Sequence, residues 1–314
     1  MNIIICGAGR VGFAIAKLLI EQNHSITIID QDTVEESNLH RQFFTTMDDI
    51  HIPKVEAIRK NLEKVNPDIK INALAENINE RNVSEMIKGV DCVVDGLDNT
   101  TTRFLINREC VKQRIPYIFA GAIGYHGNVT VIDSPNTPCL ECIMPELEGE
   151  NTPDCSITGI LNITTGILGS IEAMETIKII LGLDSVLKGK ILFCDVKNMA
   201  FNFYPIFKKK KCVTCSFSSI FKNQSEKLTW LCGSDTVNIN PETNLKIKFD
   251  DVKKEIEKCY KIIKISNLAI SFEDKKNMKI TLFKNGRMLI KNIDEKKAYK
   301  KYTELIKKLF DLDN

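Results

Sequence analysis

The sequence predicts an α/β fold with a Rossmann-like, mostly parallel sheet covered by helices on both faces, followed by a small C-terminal α+β unit. Short apolar strands alternate with helical segments through residues 2–120, as a parallel sheet requires. The glycine motif Gly7-Ala8-Gly9-Arg10-Val11-Gly12 comes between the first strand and the first helix. The βαβ rhythm is then lost, and Asn285-Gly286 marks a hairpin in a lysine-rich region. We therefore expect domains at 1–217 and 228–314.

The elements of the first domain follow from apolar periodicity and from start and stop signals. Residues Val11, Ala14, Ile15, Leu18 and Leu19 share one face of the first helix. Pro53 suits a first helical turn, and Asn66-Pro67 ends that helix. Strands are predicted at 2–6, 25–29, 69–74, 90–94, 116–120, 128–133, 190–195 and 200–206, and helices at 10–22, 53–65, 80–88, 100–113 and 157–181.

A polar stretch without periodicity, at about 216–227, reads as a linker to the second domain. In that domain the alternating apolar runs and the hairpin signal predict strands, and the amphipathic runs predict helices. Strands are predicted at 237–239, 245–247, 279–283 and 287–290, and helices at 249–260 and 294–310.

Composition excludes several function classes. A formal net charge of +2 gives no general attraction to nucleic acid or to a membrane surface. The apolar tract 157–182 contains Glu172, Glu175 and Lys178, so it is expected to be a buried helix and not a membrane span. Eleven cysteines without a secretion signal indicate a reducing cytoplasm, with metal or thiol chemistry preferred over disulfides.

The glycine motif indicates a nucleotide site, although a tight turn without a ligand has the same pattern. Its glycines let the backbone approach a phosphate at a helix N-terminus. Asp30 ends the second strand, 18 residues after Gly12, where a carboxylate binds ribose hydroxyls; its alternative role is a helix cap or a solvated loop acid. These features alone do not distinguish NAD, FAD and ATP.

Further basic residues favour a triphosphate. Asn38, Arg41 and Lys54 follow the second strand, and arginine and lysine both bind phosphate oxygens. Asp98-Asn99 follows a later strand, at the sheet edge where ligands bind. A carboxylate there would hold Mg²⁺, and the same pair is also suited to capping the helix from Thr100.

Two cysteine pairs form candidate metal knuckles. Cys139 and Cys142 make one C-x-x-C motif, and Cys212 and Cys215 make the other. Four thiolates suit a closed tetrahedral Zn²⁺ site, which would be structural because no coordination position is open. A redox dithiol, which needs only one pair, is the alternative.

These motifs, in this order and spacing, resemble the ubiquitin-activating-enzyme-like adenylyltransferases of the ThiF/MoeB/HesA type over residues 2–216. The resemblance implies an enzyme that binds ATP and Mg²⁺. Such an enzyme couples AMP to the C-terminal Gly-Gly carboxylate of a small ubiquitin-like sulfur-carrier protein and releases pyrophosphate. It also implies thiamine, molybdopterin or tRNA sulfur transfer, a homodimer built on the 157–181 helix, and zinc at the four cysteines.

The resemblance also implies roles for single residues. Asp30 holds the ribose, while Arg41, Lys54 and Asp98 are catalytic. The implied nucleotide contacts are Gly7, Gly9, Gly12, Asp30, Asp32, Asn38, Arg41, Gln42, Lys54, Asp98 and Asn99, with Asp98 also binding Mg²⁺. Cys155 lies before the long helix and is either a nucleophile that links to the carrier or an unused loop thiol.

One departure and two alternatives stay open. Family members carry an N-terminal segment whose arginine reaches the partner subunit's ATP, whereas this sequence begins at the first strand; Arg10 is a candidate replacement. An NAD-dependent oxidoreductase would explain Gly7 to Asp30 but not Arg41 or Lys54. A catalytically passive adapter would keep the fold without turnover. The C-terminal unit would recruit the carrier or cover the site.

Overall fold

The computed structural model describes residues 2–19, 24–39, 44–144, 159–183, 187–216, 228–230, 236–241, 243, 245–274 and 277–310. It separates into two compact units. The first unit contains Met1–Asp30, Ile58–Leu74 and Ile78–Gln224, and the second contains Gln31–Ala57, Ala75–Asn77 and Ser225–Asn314. The boundaries 1–217 and 228–314 stay a prediction. The second unit thus includes a segment from the first third of the chain.

The first unit is built on an eight-stranded sheet of order β3-β2-β1-β4-β5-β6-β7-β8. The first five strands are parallel, and β6, β7 and β8 are antiparallel. The strands are β1 Asn2–Cys6, β2 Ser25–Ile29, β3 Lys70–Leu74, β4 Cys92–Asp95, β5 Tyr117–Ile123, β6 His126–Ile132, β7 Lys190–Asp195 and β8 Ala200–Pro205. The helices up to residue 180 are α1 Arg10–Leu19, α2 Glu36–Leu39, α3 Lys54–Val65, α4 Val83–Met86, α5 Thr100–Gln113, α6 Leu140–Ile143 and α7 Asn162–Ile180. Of these, α2 and the first turn of α3 belong to the second unit.

Helices cover both faces of this sheet because side chains alternate along each strand. Ile4, Cys6 and Val93 belong to one buried cluster with residues of α5. Ile5 faces α1, since its Cγ2 lies 3.3 Å from the position that a Cβ at Gly12 would take. On that face α7 packs on α1. The predicted Rossmann-like architecture is confirmed.

The second unit contains a six-stranded sheet of order β11-β12-β13-β14-β10-β9, in which every strand pair is antiparallel. Its strands are β9 Leu228–Trp230, β10 Thr236–Ile239, β11 Lys261–Ile265, β12 Ala269–Glu273, β13 Lys279–Phe283 and β14 Met288–Lys291. Its helices are α8 Phe249–Glu257 and α9 Glu295–Phe310. A core cluster of Val237, Ile270, Phe272 and Leu282 packs with residues of both helices. The predicted hairpin is confirmed, with Gly286 at φ +89°.

Three expectations about elements were wrong. Residues 245–247 are not a strand, because the N–H groups of Leu245 and Ile247 donate to Asn285 O and Lys284 O, at the turn of the hairpin. The predicted helix at 80–88 is a single turn, Val83–Met86. Strands β11 and β12 were missed, since Lys261 and Lys264 interrupt the apolar pattern of β11.

Candidate functional site

The glycine turn between β1 and α1 is shaped by close backbone packing. Gly7 has φ +98°, and a Cβ there would lie 2.3 Å from Gly96 O. A Cβ at Gly12 would lie 1.9 Å from Gly7 O. Both positions therefore require glycine for the fold itself, which explains two of the three motif glycines.

Gly9 differs from its neighbours in the motif. A Cβ there would meet no heavy atom within 4 Å, so packing does not require a glycine at this position. A glycine in open space before a helix N-terminus is what a close phosphate approach requires. The carboxylate of Asp30, at the end of β2, accepts a 2.6 Å hydrogen bond from Ala8 N in the same turn. The first unit thus brings Asp30 to the glycine turn.

Asp98 and Asn99 lie in the loop between β4 and α5. The Asn99 side chain caps α5 by accepting a 2.9 Å bond from Thr102 N. Of the two residues suited to cap this helix, Asn99 is therefore the one that does so. Asp98 is exposed in the same loop. Like the glycine turn, this loop follows the carboxyl end of a parallel strand, which is the edge where ligands bind in such sheets.

A buried polar cluster holds this loop in place. Asp95 is 1% exposed and accepts hydrogen bonds from Tyr117 Oη at 2.6 Å, Arg103 Nε at 3.0 Å and Leu97 N at 2.8 Å. Arg103 also donates to Leu97 O and Ala120 O, at 2.5 and 2.9 Å. Its guanidinium joins the β4–α5 loop to β5, so the loop that carries Asp98 is tied at its first residues.

Sequence reasoning missed this cluster. The available signal was Asp95 itself, a charged residue that ends a strand of otherwise apolar side chains. Its partners Arg103 and Tyr117 come from a helix and a neighbouring strand, and no motif links the three positions. Only the packing of these elements brings them together.

Glu172 on α7 is a second buried carboxyl group beside this cluster. It is 0% exposed, and neither carboxylate oxygen has a hydrogen-bond partner among the described residues. Burial raises the pKa of Glu172 well above its usual range, and the negative charge of Asp95 adds to the rise, against an opposing effect of Arg103. Burial therefore favours the neutral form of this carboxyl group.

The predicted phosphate-binding residues lie in the second unit. Lys54 Nζ is 2.6 Å from Asp32 Oδ2, and Lys54 N donates to Asp32 O. An antiparallel bridge between Thr33 and Pro53 brings the neighbouring side chains of Asp32 and Lys54 together. Lys54 is 9% exposed and Asn38 is 7% exposed. Arg41 and Gln42 lie outside the described residues.

The four predicted zinc ligands come together in the first unit. All four sulfur atoms lie within 4.8 Å of one another. The distances from Cys139 to Cys142 and Cys212 are 3.9 and 3.5 Å, and that from Cys142 to Cys215 is 3.6 Å. A tetrahedral ion with Zn–S bonds of about 2.3 Å needs sulfur atoms roughly 3.8 Å apart. The arrangement therefore fits Zn²⁺, and it uses both pairs, unlike a redox dithiol.

Surrounding groups orient these cysteines. Cys142 Sγ accepts from Lys209 N at 3.4 Å, and Cys212 Sγ accepts from Cys215 N at 3.5 Å. Between the first two cysteines, Glu141 accepts from Arg108 Nε and from Thr214 Oγ1, both at 2.5 Å. These bonds connect the two knuckles without using a sulfur atom. Cys155, the candidate nucleophile, lies outside the described residues.

Most of the sequence matches a known family. Residues 1–216 match the ThiF family. This chain belongs to the ThiF family.

Curated relatives of this ThiF-family chain include three enzymes. The SAMP-activating enzyme E1 of Haloferax volcanii is 34% identical over 216 residues, which are 68% of this chain and 80% of the relative. Sulfur carrier protein adenylyltransferase of Thermus thermophilus is 28% identical over 221 residues, which are 68% of this chain and 82% of the relative. Adenylyltransferase and sulfurtransferase MOCS3 of Culex quinquefasciatus is 34% identical over 218 residues. The match spans 68% of this chain and only 50% of MOCS3.

Among solved structures, MccB of E. coli in complex with MccA-N7isoASN has a TM-score of 0.61. It is 23% identical, and the match covers 68% of this chain and 67% of that chain. At this identity the likeness shows the fold alone. No helix in the part of this ThiF-family chain that the structure describes is long and apolar enough to cross a membrane.

Proposed function

We propose that this chain is an ATP-dependent adenylyltransferase. It joins AMP to the C-terminal Gly-Gly carboxylate of a small ubiquitin-like sulfur-carrier protein and releases pyrophosphate. The names of the Haloferax, Thermus and Culex relatives support this reaction. The products would feed thiamine, molybdopterin or tRNA sulfur transfer.

The observation that carries the proposal is the contrast within the glycine turn. Backbone atoms occupy the space beside Gly7 and Gly12, and the space beside Gly9 is open. A methyl group at Gly9 would fit the protein, so its absence has no packing cause. A phosphate that approaches the backbone N–H groups of the turn explains it.

The chemistry needs charge neutralisation more than a strong base. The carrier carboxylate is already ionised at neutral pH, and it must approach an anionic α-phosphate. Preorganised cations lower that repulsion and hold the two groups in line. We assign this role to Lys54 and Arg41, with Asn38 and Gln42 as further phosphate contacts. Asp32 keeps the Lys54 ammonium in one position through their ion pair.

The remaining roles follow from chemistry and position. Asp98, in the loop tied by Arg103, would hold Mg²⁺ through few protein ligands and several waters. Asp30 would bind ribose hydroxyls, and its bond to Ala8 N fixes the carboxylate. Zinc at the cysteine cluster supplies folding energy and takes no part in catalysis. Cys155 stays a candidate for a later thiol step.

We also propose a homodimer in the cytoplasm. Phe201 and Phe203, on the edge strand β8, are 41% and 55% exposed, which is unusual for large aromatic side chains and marks a candidate contact surface. None of the nine described cysteines forms a disulfide, which supports a reducing compartment.

The decisive test is pyrophosphate exchange into ATP, measured with and without a carrier that ends in Gly-Gly. We expect exchange only with the intact carrier and none with a carrier lacking its last glycine. Lys54→Ala should reduce exchange by about a hundredfold or more, since one well-placed charged group contributes on that order. Lys60→Ala is the matched control, because Lys60 is an exposed lysine on the same helix. Absence of exchange with every carrier tested would contradict the proposal.

A further inference from the structure

Polar contacts fasten segment 31–57 to the C-terminal sheet within the second unit. Segment 31–57 denotes residues Gln31–Ala57, which carry Asp32, Asn38 and Lys54 as well as Arg41 and Gln42. The contacts come from β12, from the turn before it, and from the β13–β14 hairpin. They therefore come from residues beyond the family match, which ends at residue 216.

Arg287 makes the most buried of these contacts. It is 1% exposed, and its guanidinium donates to Gln31 O at 2.8 Å, Ala75 O at 3.0 Å and Asn238 Oδ1 at 2.9 Å. The same group lies 3.6 Å from the centre of the Phe283 ring. Gln31 follows Asp30 directly in the chain. One buried cation thus fixes the start of segment 31–57.

Glu56 fixes the other end of the segment. Its two carboxylate oxygens accept from Asn267 N at 2.8 Å and Leu268 N at 3.2 Å, in the turn before β12. Glu56 is 6% exposed and lies two residues after Lys54. A carboxylate that receives two backbone N–H groups is held in one geometry. The first turn of α3 is therefore tied to the C-terminal sheet.

Two contacts hold the middle of the segment. Ser271 Oγ donates to His51 O at 2.9 Å. Lys291 Nζ lies 2.5 Å from Glu35 Oε1, with both side chains partly buried. Loss of any buried partner would leave a polar group without water or a hydrogen bond, which costs free energy. The sheet thus holds the segment at its two ends and between them.

We infer that the C-terminal sheet positions Asn38 and Lys54, the described phosphate-binding residues of segment 31–57, with Arg287, Glu56 and Ser271 as positioning residues. Residues that neutralise a triphosphate act only when they are held in the productive geometry, and rigid elements supply that precision. The described residues of segment 31–57 form only short elements, which are the turn α2, a 3₁₀ turn at Met47–Asp49 and the first turn of α3. The sheet supplies the missing support. The inference rests on the proposed function of segment 31–57.

The test compares conservative variants of the full chain. Arg287→Lys keeps the charge, but an ammonium group cannot reproduce the planar guanidinium that donates hydrogen bonds to two backbone carbonyls and one side-chain amide. We expect it to raise the KM for ATP at least about tenfold, because bonds to a charged group are the strong ones. Glu56→Gln should raise it roughly fivefold, since one backbone N–H would then face an amide donor. The KM for the carrier should not change.

Matched controls separate positioning from a general loss of structure. Ser271→Ala removes the bond to His51 and should raise the KM for ATP about threefold. Thr303→Ala removes a bond to Tyr299 O within the exposed face of α9, in the same unit, and should leave it unchanged. Glu63→Gln, on an exposed side chain of α3, is the control for Glu56→Gln.

Amide hydrogen exchange tests whether a loss of order in segment 31–57 accompanies weaker ATP binding, which a purely structural role would not predict. Exchange within segment 31–57 should accelerate in Arg287→Lys, while β5 stays protected. Affinity for adenosine, measured by calorimetry, should be unchanged. Faster amide hydrogen exchange with an unchanged KM and affinity for ATP would overturn the inference. Unchanged hydrogen exchange and an unchanged KM for ATP in every variant would overturn it too. If Arg287→Lys does not fold, the Glu56 and Ser271 variants decide by the same criteria. If the wild type shows no pyrophosphate exchange with any carrier, the proposed function fails. The affinity of the variants for ATP then still tests the positioning role.

Discussion

Alanine at Gly9 and alanine at Gly12 should have opposite consequences. A Cβ at Gly9 would meet no heavy atom within 4 Å, and one at Gly12 would lie 1.9 Å from the carbonyl oxygen of Gly7. The same added methyl group is therefore neutral for the fold at one position and incompatible with it at the other. The pair separates a glycine required for a ligand from a glycine required for packing.

The magnitudes follow from these distances. Real Cβ atoms essentially never come within 3.0 Å of such an atom, so Gly12→Ala must increase the separation between position 12 and Gly7 O by more than 1 Å. We expect a loss of at least about 2 kcal/mol of folding free energy, as for other overpacked sites. Gly9→Ala should cost about 1 kcal/mol or less, because glycine is only modestly better than alanine before a helix. Its affinity for ATP should fall at least about tenfold, since a methyl group would separate the phosphate from the backbone N–H groups.

Thermal unfolding with and without ATP and magnesium measures both effects. Each kcal/mol shifts the melting temperature by about 2–4 °C for a protein of this size class. Gly9→Ala should melt close to the wild type but lose most of the ATP-induced shift, and calorimetric titration should confirm the weaker binding. Unchanged ATP affinity in Gly9→Ala would refute the placement of the phosphates at this turn. Wild-type stability of Gly12→Ala would refute the packing argument.

Two further predictions concern groups in the first unit. Cys142→Ser should reduce bound zinc from one ion per chain towards none and lower the melting temperature by at least about 10 °C, because metal binding contributes several kcal/mol of folding energy. Cys259→Ser, at an exposed thiol, is the control. Zinc retained by Cys142→Ser would contradict the site. The folded-state pKa of Glu172 is raised by burial, so the folded state binds the extra proton, and through this group wild-type stability should fall as the pH rises above the usual pKa range of a glutamate. Urea unfolding of Glu172→Gln should lack this component, and equal slopes for both proteins would show that Glu172 ionises normally.

Local sequence signals predicted most helices and strands of the first unit. The strand–glycine turn–helix order places Gly7, Gly9 and Gly12 without knowledge of distant residues, because turn geometry depends on a few neighbouring dihedral angles. The two C-x-x-C pairs also carry their own geometry, since two cysteines three positions apart bind one ion in a short turn. The Asn285-Gly286 hairpin is local for the same reason, and it was confirmed.

Non-local features were missed or misread. Strands β11 and β12 carry too few apolar residues in alternation to be recognised. Strand β12 is buried through its pairing with β11 and β13 and through the core cluster that Ile270 and Phe272 share with both helices. Residues 245–247 have a strand-like composition, yet their N–H groups bond to the turn of the hairpin. Arg287 appeared to be an ordinary residue of a hairpin, although it is almost fully buried.

The sequence by itself determined the glycine turn after β1, the two C-x-x-C pairs and the α/β alternation, because each depends on neighbouring residues or on one repeating period. The tertiary structure alone decided that Arg103 and Tyr117 meet Asp95, and that Arg287 and Glu56 hold segment 31–57. These contacts join residues that are distant along the chain, and the burial of their charges requires partners that only the folded arrangement supplies.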